Sequence, residues 1–508
     1  MGVIARQSVK GALANYLGVL VGFFTTFFVL TDCLTRDEIG FTRVLVDAAM
    51  LFSSLAQLGS NASIVRFFPY FKDDDRNHGI FGWSVLVPFV GFCLLSVVVL
   101  LFKDSIVRVY SASGQTTLVA DYFYLLLPLT FFALYMTVFE TNASVLMRIT
   151  VPKMVREVGI RVFNLVCYLL YGYGVIGFQL FVVLFCLSYA LAMLLNLFYL
   201  LHLGRISFRI DFHFLDRRLL RDMLRYTLFM TATVLAGNIP LLNTLFLGAK
   251  SGLELTGVYT IASYIANIVE VPYRSLGAIS APMISHSVKE ENWREVNRLA
   301  QQVSLYQFLV ASLIFFFIWT NLQTLFAVIP NGEKYVGGVG VVFFLGLAKL
   351  VNSSLSISTN ILNYSRHYAR SLPFILLLTL SAIAFNHWLI PLWGISGSAC
   401  ASLFSYLLYY ACLLGFLAWR QRVSLFSVAQ LKVLLMAVTL FVLSWLWDRL
   451  LSPTIVGDGT MARYLLDSLL RTLVFAVVAV VAVCRLRVAP PVNDLLQRLL
   501  RRFWPRRS

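Results

Sequence analysis

A long, mostly apolar segment with polar residues at helical spacing reads FTRVLVDAAMLFSSLAQLGSNASIVRFF (residues 41–68). Its regularly spaced polar residues are Arg43, Asp47, Ser54, Gln57 and Asn61. Their intervals of four, seven, three and four residues place them on one face of a helix with 3.6 residues per turn. The segment is also longer than the roughly 20 apolar residues that cross a bilayer. We therefore predict a transmembrane helix with one polar face.

Two further segments repeat this pattern. The polar face of residues 256–284 consists of Tyr259, Ser263, Asn267, Glu270 and Arg274. That of residues 336–363 consists of Lys349, Asn352, Ser356, Asn360 and Asn363. A charged side chain at the bilayer centre costs at least about 2.5–3.5 kcal/mol, so such residues usually face the protein interior or a water-filled cavity. Three polar faces in one apolar chain predict a polar cavity between its halves, with a smaller contribution from Glu140.

The composition places the whole chain in the membrane. Of its 508 residues, 59% are hydrophobic and 13% are charged, and the mean hydropathy is +0.81. A water-soluble fold of this length needs far more charge on its surface. We predict an all-α polytopic membrane protein with about fourteen transmembrane helices. Their predicted limits are 11–31, 41–68, 80–102, 117–147, 157–173, 177–202, 225–247, 256–284, 302–328, 336–363, 371–392, 395–419, 430–450 and 464–484.

The net charge of +17 lies mainly in short loops, which indicates membrane topology rather than nucleic-acid binding. One set of loops is rich in Lys and Arg, and the longest of them contains Arg205, Arg209, Arg217, Arg218 and Arg221. By the positive-inside rule this set and both termini are cytoplasmic, so we predict a multi-pass membrane protein. The seven cysteines form no CxxC pair, and no disulfide framework, metal site or cofactor is predicted.

The two halves resemble each other when one is shifted by about 217 residues, as in an internal repeat. The motif at residues 38–41 then falls near residues 255–258, and Gly174-Val-Ile-Gly177 falls near Gly394-Ile-Ser-Gly397. The predicted domains are an N-terminal lobe (1–222, spans one to six), a C-terminal lobe (223–422, spans seven to twelve), spans thirteen and fourteen (423–486) and a basic amphipathic tail (487–508). The tail is expected either to lie on anionic lipid of the inner leaflet or only to reinforce the topology.

Each charged residue of the polar faces has a structural alternative. Two pairs at i,i+4 spacing can simply neutralise themselves: Arg43 with Asp47, and Glu270 with Arg274. Lys349 has no acid within one helical turn. It therefore serves the cavity, or it snorkels or pairs with Glu140 or Glu270 of another helix.

Motifs for nucleotide binding and hydrolysis are missing from the sequence, which has no Walker A loop, HExxH or GxSxG. ATP is therefore not the predicted energy source, and we predict that the chain is not an enzyme. The loops on the predicted outer side are at most about 16 residues long. Membrane polymerases and ligases that use lipid-linked sugars commonly place their catalytic residues in a long periplasmic loop, so the short outer loops argue against such an enzyme.

Four short motifs occur at spaced positions along spans one to twelve. They are TRDEIG (35–40), ASIVRFFP (62–69), LTGVY (255–259) and GISGSA (394–399). In order and spacing they resemble the polysaccharide exporters of the multidrug/oligosaccharidyl-lipid/polysaccharide (MOP) flippase superfamily, which includes O-antigen flippases and, more distantly, the lipid II flippase and the MATE drug exporters.

This resemblance implies two six-helix lobes around a cavity that opens alternately to each side. The implied function is translocation of a polyprenyl-diphosphate-linked oligosaccharide from the cytoplasmic to the periplasmic leaflet of the bacterial inner membrane. It would serve surface polysaccharide biosynthesis, as in lipopolysaccharide assembly. The expected substrate-binding residues are Arg43, Arg274, Lys349, Asn267, Gln57 and Asn360, with the cations on the diphosphate. The candidates for ion coupling are Asp47, Glu140 and Glu270. Asn243 stands where many relatives have an acid. Expected partners are the lipid-linked sugar and other polysaccharide-assembly proteins, but not nucleic acid.

Three other functions remain open at this stage. A MATE-type cation-coupled drug exporter would share the two lobes but generally has twelve spans and acidic cavity charges. A membrane glycosyltransferase or polymerase is disfavoured by the short outer loops and by the repeat. A non-transporting scaffold that recruits sugar enzymes through its basic tail is the third alternative.

Overall fold

The computed structural model describes residues 17–71, 79–112, 117–204, 217–236, 239–456 and 460–486. Within these ranges every regular element is a helix, because a helix satisfies its own backbone N–H and C=O groups inside a lipid layer. Nine of the described helices are long and apolar enough to cross a membrane, and Leu17–Cys33 is a shorter apolar helix. The predicted all-α polytopic fold is confirmed, while the predicted tail at 487–508 lies outside the described residues.

The chain forms two compact units. The N-terminal unit comprises the chain up to Thr260 together with Asn386–Ile395. Its helices are α1 (Leu17–Cys33), α2 (Arg36–Ala56), α3 (Ser60–Phe71), α4 (Ile80–Leu101), α5 (Lys103–Ala112), α6 (Leu118–Asp121), α7 (Leu126–Val145), α8 (Thr150–Met154), α9 (Ile160–Gly172), α10 (Phe178–His202), α11 (Arg217–Ala236), α12 (Ile239–Ser251) and the first half of α13 (Leu253–Asn267). Buried side chains such as Leu134, Phe139 and Leu200 join α7 to α10.

The C-terminal unit comprises Ile261–Phe385 and the described chain from Ser396 onward. Its helices are the rest of α13, α14 (Val271–Lys289), α15 (Trp293–Thr320), α16 (Leu322–Val328), α17 (Val339–Leu355), α18 (Ile357–Tyr364), α19 (Ser371–Gln421), α20 (Val428–Leu450), α21 (Ser452–Val456) and α22 (Met461–Leu486). The Phe316 ring on α15 lies 5.3 Å from the rings of both Phe441 and Phe475. Spans thirteen and fourteen, which are α20 and α22, therefore pack directly on α15. The lobe limits predicted from the repeat stay a prediction.

The three spans with polar faces are interrupted near their polar side chains. Residues 57–59 separate α2 from α3, and Leu58 and Gly59 have φ angles of 49° and 69°. A 3₁₀ turn, Ile268–Glu270, separates α13 from α14, and a proline follows in the first turn of α14. Ser356 alone separates α17 from α18. The prediction of continuous helices is wrong here, because left-handed residues and a proline without an N–H both break the hydrogen-bond ladder.

Gly394 reverses the chain between the predicted spans eleven and twelve. It has φ 55° and ψ −131° inside α19. The rings of Phe385 and Phe404 lie 5.9 Å apart, and those of Phe374 and Phe416 lie 5.5 Å apart. At 1.5 Å per residue, a straight helix would separate these pairs by about 28 and 63 Å. The two parts of α19 are therefore antiparallel neighbours, with their turn at the predicted position.

Candidate functional site

A lysine, a glutamate, an asparagine and a tyrosine form one buried polar network in the C-terminal unit. Lys349 Nζ lies 3.0 Å from Glu270 Oε2. Asn352 Nδ2 donates to Glu270 Oε1 at 2.5 Å, and the Tyr410 hydroxyl donates to Asn352 Oδ1 at 2.7 Å. The side chains of Lys349 and Glu270 are only 9% and 12% exposed. The sequence left Glu140 and Glu270 as possible partners of Lys349, and the structure shows the contact with Glu270.

Breaks and turns in the helices position this network. Glu270 is the last residue of the 3₁₀ turn between α13 and α14, whereas Lys349 and Asn352 lie one turn apart on α17. Tyr410 follows the chain reversal within α19. A buried ion pair repays its loss of hydration only when further hydrogen bonds satisfy the remaining polar atoms. Asn352 and Tyr410 provide such bonds, so the pair is held in one geometry.

The polar face of α2 contains the i,i+4 pair that the sequence suggested. Arg43 Nε donates to Asp47 Oδ2 at 2.8 Å. The Asp47 side chain is 3% exposed, whereas that of Arg43 is 25% exposed. Thr244 of α12 also hydrogen-bonds to the Asp47 side chain. In this structure Arg43 and Asp47 therefore neutralise each other, as one of the two interpretations of their spacing predicted.

Amide side chains connect the break after α2 to α7. Gln57 Nε2 donates to Thr137 Oγ1 at 2.8 Å, and Asn61 Nδ2 donates to Gln57 Oε1 at 3.1 Å. One turn further along α7, Glu140 accepts a hydrogen bond of 2.8 Å from Arg156, which lies in a π-helical turn, Val155–Gly159. The interruption of α2 is thus bordered by groups that can also bind hydroxyls or charge.

The other predicted site residues are not joined to either network by the contacts described. Asn267 ends α13 and Asn360 lies in α18, and both are half-buried. Arg274 is in the first turns of α14, but its side chain lies outside the described residues. Asn386 Nδ2 donates to Asn243 Oδ1 at 2.7 Å within the N-terminal unit, where both are buried. The substrate-binding and ion-coupling roles of the predicted residues stay predictions.

Two glycines that open repeat-related helices lie against each other. A Cβ atom on Gly40 would overlap the carbonyl oxygen of Leu253 and lie 3.0 Å from the backbone nitrogen of Gly257. A Cβ atom on Gly257 would overlap the carbonyl oxygen of Arg36. Beside them, Arg36 and Glu254 form an ion pair of 2.5 Å. Only residues without a side chain allow this approach of α2 to α13.

The sequence also matches a known protein family. A model described as polysaccharide biosynthesis protein matches residues 8–288, more than half of the chain. The chain belongs to this family. No curated protein sequence matches it.

The chain is also similar in fold to solved structures of the MOP superfamily. The lipid II flippase MurJ, in an inward closed conformation, aligns with a TM-score of 0.68 at 12% identity, over 92% of this chain and 98% of that one. An inward-facing multidrug resistance MATE family transporter aligns with a TM-score of 0.62 at 15% identity, over 81% of this chain and 99% of that one. A MOP superfamily transporter from Pyrococcus furiosus aligns with a TM-score of 0.55 at 16% identity, over 81% of this chain and 94% of that one. Membership of the MOP superfamily, predicted from the short motifs, is confirmed.

A further buried charge cluster was missed in the sequence. Arg471 of α22 lies 2.6 Å from Asp448 and 2.8 Å from Asp467, and it donates to the carbonyl oxygen of Thr320 at 2.6 Å. Trp447 Nε1 donates to Asp467 Oδ1 at 2.9 Å. Thr320 is the last residue of α15. A cation at this position also interacts favourably with the negative end of the helix dipole. The i,i+4 spacing of Asp467 and Arg471 in an apolar segment was the signal that could have revealed the cluster.

Proposed function

We propose that this protein translocates a polyprenyl-diphosphate-linked oligosaccharide from the cytoplasmic to the periplasmic leaflet of the bacterial inner membrane. The observation that supports it best is the buried ion pair of Lys349 and Glu270, which lies at an interruption of a membrane span. Charged residues inside spans are costly and usually mark a substrate or ion pathway. Interrupted helices near mid-membrane are a common way for transporters to build such sites.

The diphosphate competes with a carboxylate for the same cation in this proposal. The Lys349 ammonium is a compact charge that can donate up to three hydrogen bonds, which suits a phosphate oxygen as well as it suits Glu270. Arg43 and Arg274 are proposed as additional cations for the diphosphate. The proposed sugar-binding side chains are Gln57, Asn267 and Asn360. Because Glu270 loses its cation when the diphosphate takes Lys349, the exchange requires that Glu270 bind a proton or another cation, so that no buried charge is left unpaired.

Ion coupling is proposed to act through carboxylates that are paired in this structure. Glu270 pairs with Lys349, Asp47 with Arg43, and Glu140 with Arg156. A proton or other cation bound by one of these carboxylates weakens its hold on the partner cation, which is then available to the diphosphate. The direction of transport follows if this exchange occurs when the cavity is open to the cytoplasm.

Spans thirteen and fourteen support a flippase over a drug exporter. The alignment to MurJ takes in 92% of the chain, and that to the MATE transporter takes in 81%. The difference is about the size of the hairpin formed by α20 and α22. A MATE-type exporter is the alternative function, supported by the TM-score of 0.62.

The test is translocation by the purified full chain in liposomes with a fluorescent polyprenyl-diphosphate sugar. We expect Lys349→Gln to lower the rate by about 10–100-fold, since a hydrogen bond to a charged group is worth about 1.5–3 kcal/mol. Because this variant leaves Glu270 without its cation, the double variant Lys349→Gln/Glu270→Gln is included. It removes both charges of the pair and should therefore fold, yet stay inactive. Lys432→Gln is the matched control, because Lys432 is an exposed lysine of α20 that contacts only a backbone oxygen among the described residues.

Three results distinguish the possibilities. Absence of translocation by the wild-type protein, together with export of a cationic dye, would replace the flippase proposal with the MATE-type alternative. Wild-type rates in both Lys349 variants would remove Lys349 from the site but keep the flippase function. Loss of activity in Lys432→Gln as well would show that the assay reports folding rather than the site.

A further inference from the structure

The first turns of α11 present arginines and leucines together on one exposed face. The exposed arginines are Arg217, Arg221 and Arg225, and the exposed leucines are Leu220 (37%), Leu224 (55%) and Leu228 (70%). Each set recurs every four residues, so the two stripes run side by side along the helix. The exposure of the leucines increases from the arginine-rich end towards the predicted seventh span.

The opposite face of α11 is fixed to the N-terminal unit. Leu219, Met223 and Tyr226 pack against a core that includes Phe67 of α3. The guanidinium of Arg66 lies 4.3 Å from the centre of the Tyr226 ring, within the range of a cation–π interaction. The mixed arginine and leucine face is therefore presented outward by a packed helix, and Arg66 adds a further exposed cation at its border.

The charge of this face is not neutralised within the described part of the chain. None of the three arginines forms an ion pair there, and Asp222 is the one acid in the sequence of α11. The positive-inside rule places these residues on the cytoplasmic side. The helix begins two turns before the predicted span at residue 225, about 12 Å at 1.5 Å per residue. This length is enough to cross a headgroup layer of roughly 5–8 Å.

We propose that this face binds an anionic phospholipid of the cytoplasmic leaflet. The arginines contact the phosphate and the negatively charged headgroup, and an acyl chain lies along the leucines. Both parts of the ligand are needed to match both stripes, so a soluble phosphate compound fits only half of the face. Such a lipid would fix the depth of α11 in the membrane next to the break between α2 and α3, and this inference does not depend on the proposed function.

The experiment measures lipid binding to the purified full chain by native mass spectrometry, with phosphatidylglycerol, phosphatidylcholine and inorganic phosphate as probes. Each surface arginine contributes roughly 1 kcal/mol to the attraction of anionic lipid, or about fivefold in affinity. We therefore expect a loss of about a hundredfold for phosphatidylglycerol in the variant Arg217→Gln/Arg221→Gln/Arg225→Gln. The variant with three Arg→Lys substitutions keeps the charge and should bind within about fivefold of wild type.

Single substitutions make the outcome independent of folding in the triple variant. Arg221→Gln should lose about fivefold in affinity, whereas the control Arg449→Gln, at an exposed arginine beside Trp445 on α20, should lose none. Equal affinity for phosphatidylglycerol in wild type and in the glutamine variants would overturn the proposal. So would equal binding of phosphatidylcholine, or competition by inorganic phosphate at the lipid's own affinity.

Discussion

Replacing Arg471 with methionine should destabilise the protein by about 3–5 kcal/mol, the range found when one partner of a buried ion pair is removed. Arg471 makes three close contacts, but Asp448 is 49% exposed and can be rehydrated when the arginine is lost. The loss of stability therefore comes from two contacts, one to Asp467, whose side chain is 6% exposed, and one to the Thr320 carbonyl oxygen. At about 1.5–3 kcal/mol for each bond to a charged group they sum to about 3–6 kcal/mol, which agrees with that range.

Equilibrium unfolding in mixed micelles measures this effect. The matched control is Arg449→Met, an exposed arginine one residue beyond Asp448, which should change stability by less than about 1 kcal/mol. The double variant Arg471→Met/Asp467→Asn removes both buried charges and should recover part of the loss. If Arg471→Met unfolds like Arg449→Met, Asp467 is not a buried carboxylate that needs a cation, and the reasoning about this cluster is refuted.

Three further predictions concern packing, hydrogen bonding and pH. Gly40→Ala should lower the free energy of unfolding by about 1–3 kcal/mol, because the added methyl group clashes with α13. Gly415→Ala has no neighbour within 4 Å and should raise it by up to about 1 kcal/mol through helix propensity. Thermal unfolding measures both variants. Asn386→Leu should lower the free energy of unfolding by about 1–3 kcal/mol, because it removes the donor of the buried hydrogen bond to Asn243 Oδ1, and wild-type stability in this variant would contradict this. Burial and three neighbouring arginines lower the pKa of His367 below 6.5, so the unfolded chain binds its proton more readily and stability should fall as the pH drops below that value. His367→Gln should flatten this part of the pH profile.

Much of the fold was predictable because apolar length and turn residues are local properties of the sequence. The turn at Gly394 was predicted from its match to Gly174, and the structure has positive φ angles at both glycines. The interruptions of the polar spans were harder to predict. Gly59 and Pro272 were visible breakers, but Ser356 is not a residue type that ends helices, and the one-residue interruption there depends on packing.

The polar networks were only partly predictable for a different reason. Spacing along one helix identified Arg43 with Asp47. It could not decide whether Lys349 pairs with Glu270, since that contact joins residues 79 positions apart and depends on the helix arrangement. Asn352 and Tyr410 complete the network from the same kind of long-range contact. Site residues identified by helical spacing alone therefore needed the tertiary structure to acquire partners.

The reversal at Gly394 takes place without a loop, and this affects how the chain enters the membrane. Only one non-helical residue separates spans eleven and twelve. No polar linker is therefore available to stay in water while the second span enters the membrane. We expect the translocon to release them as one preformed helical hairpin. The same feature makes this turn a poor place for an epitope tag or a protease site, because any insertion would have to push apart rings that hold the two spans together.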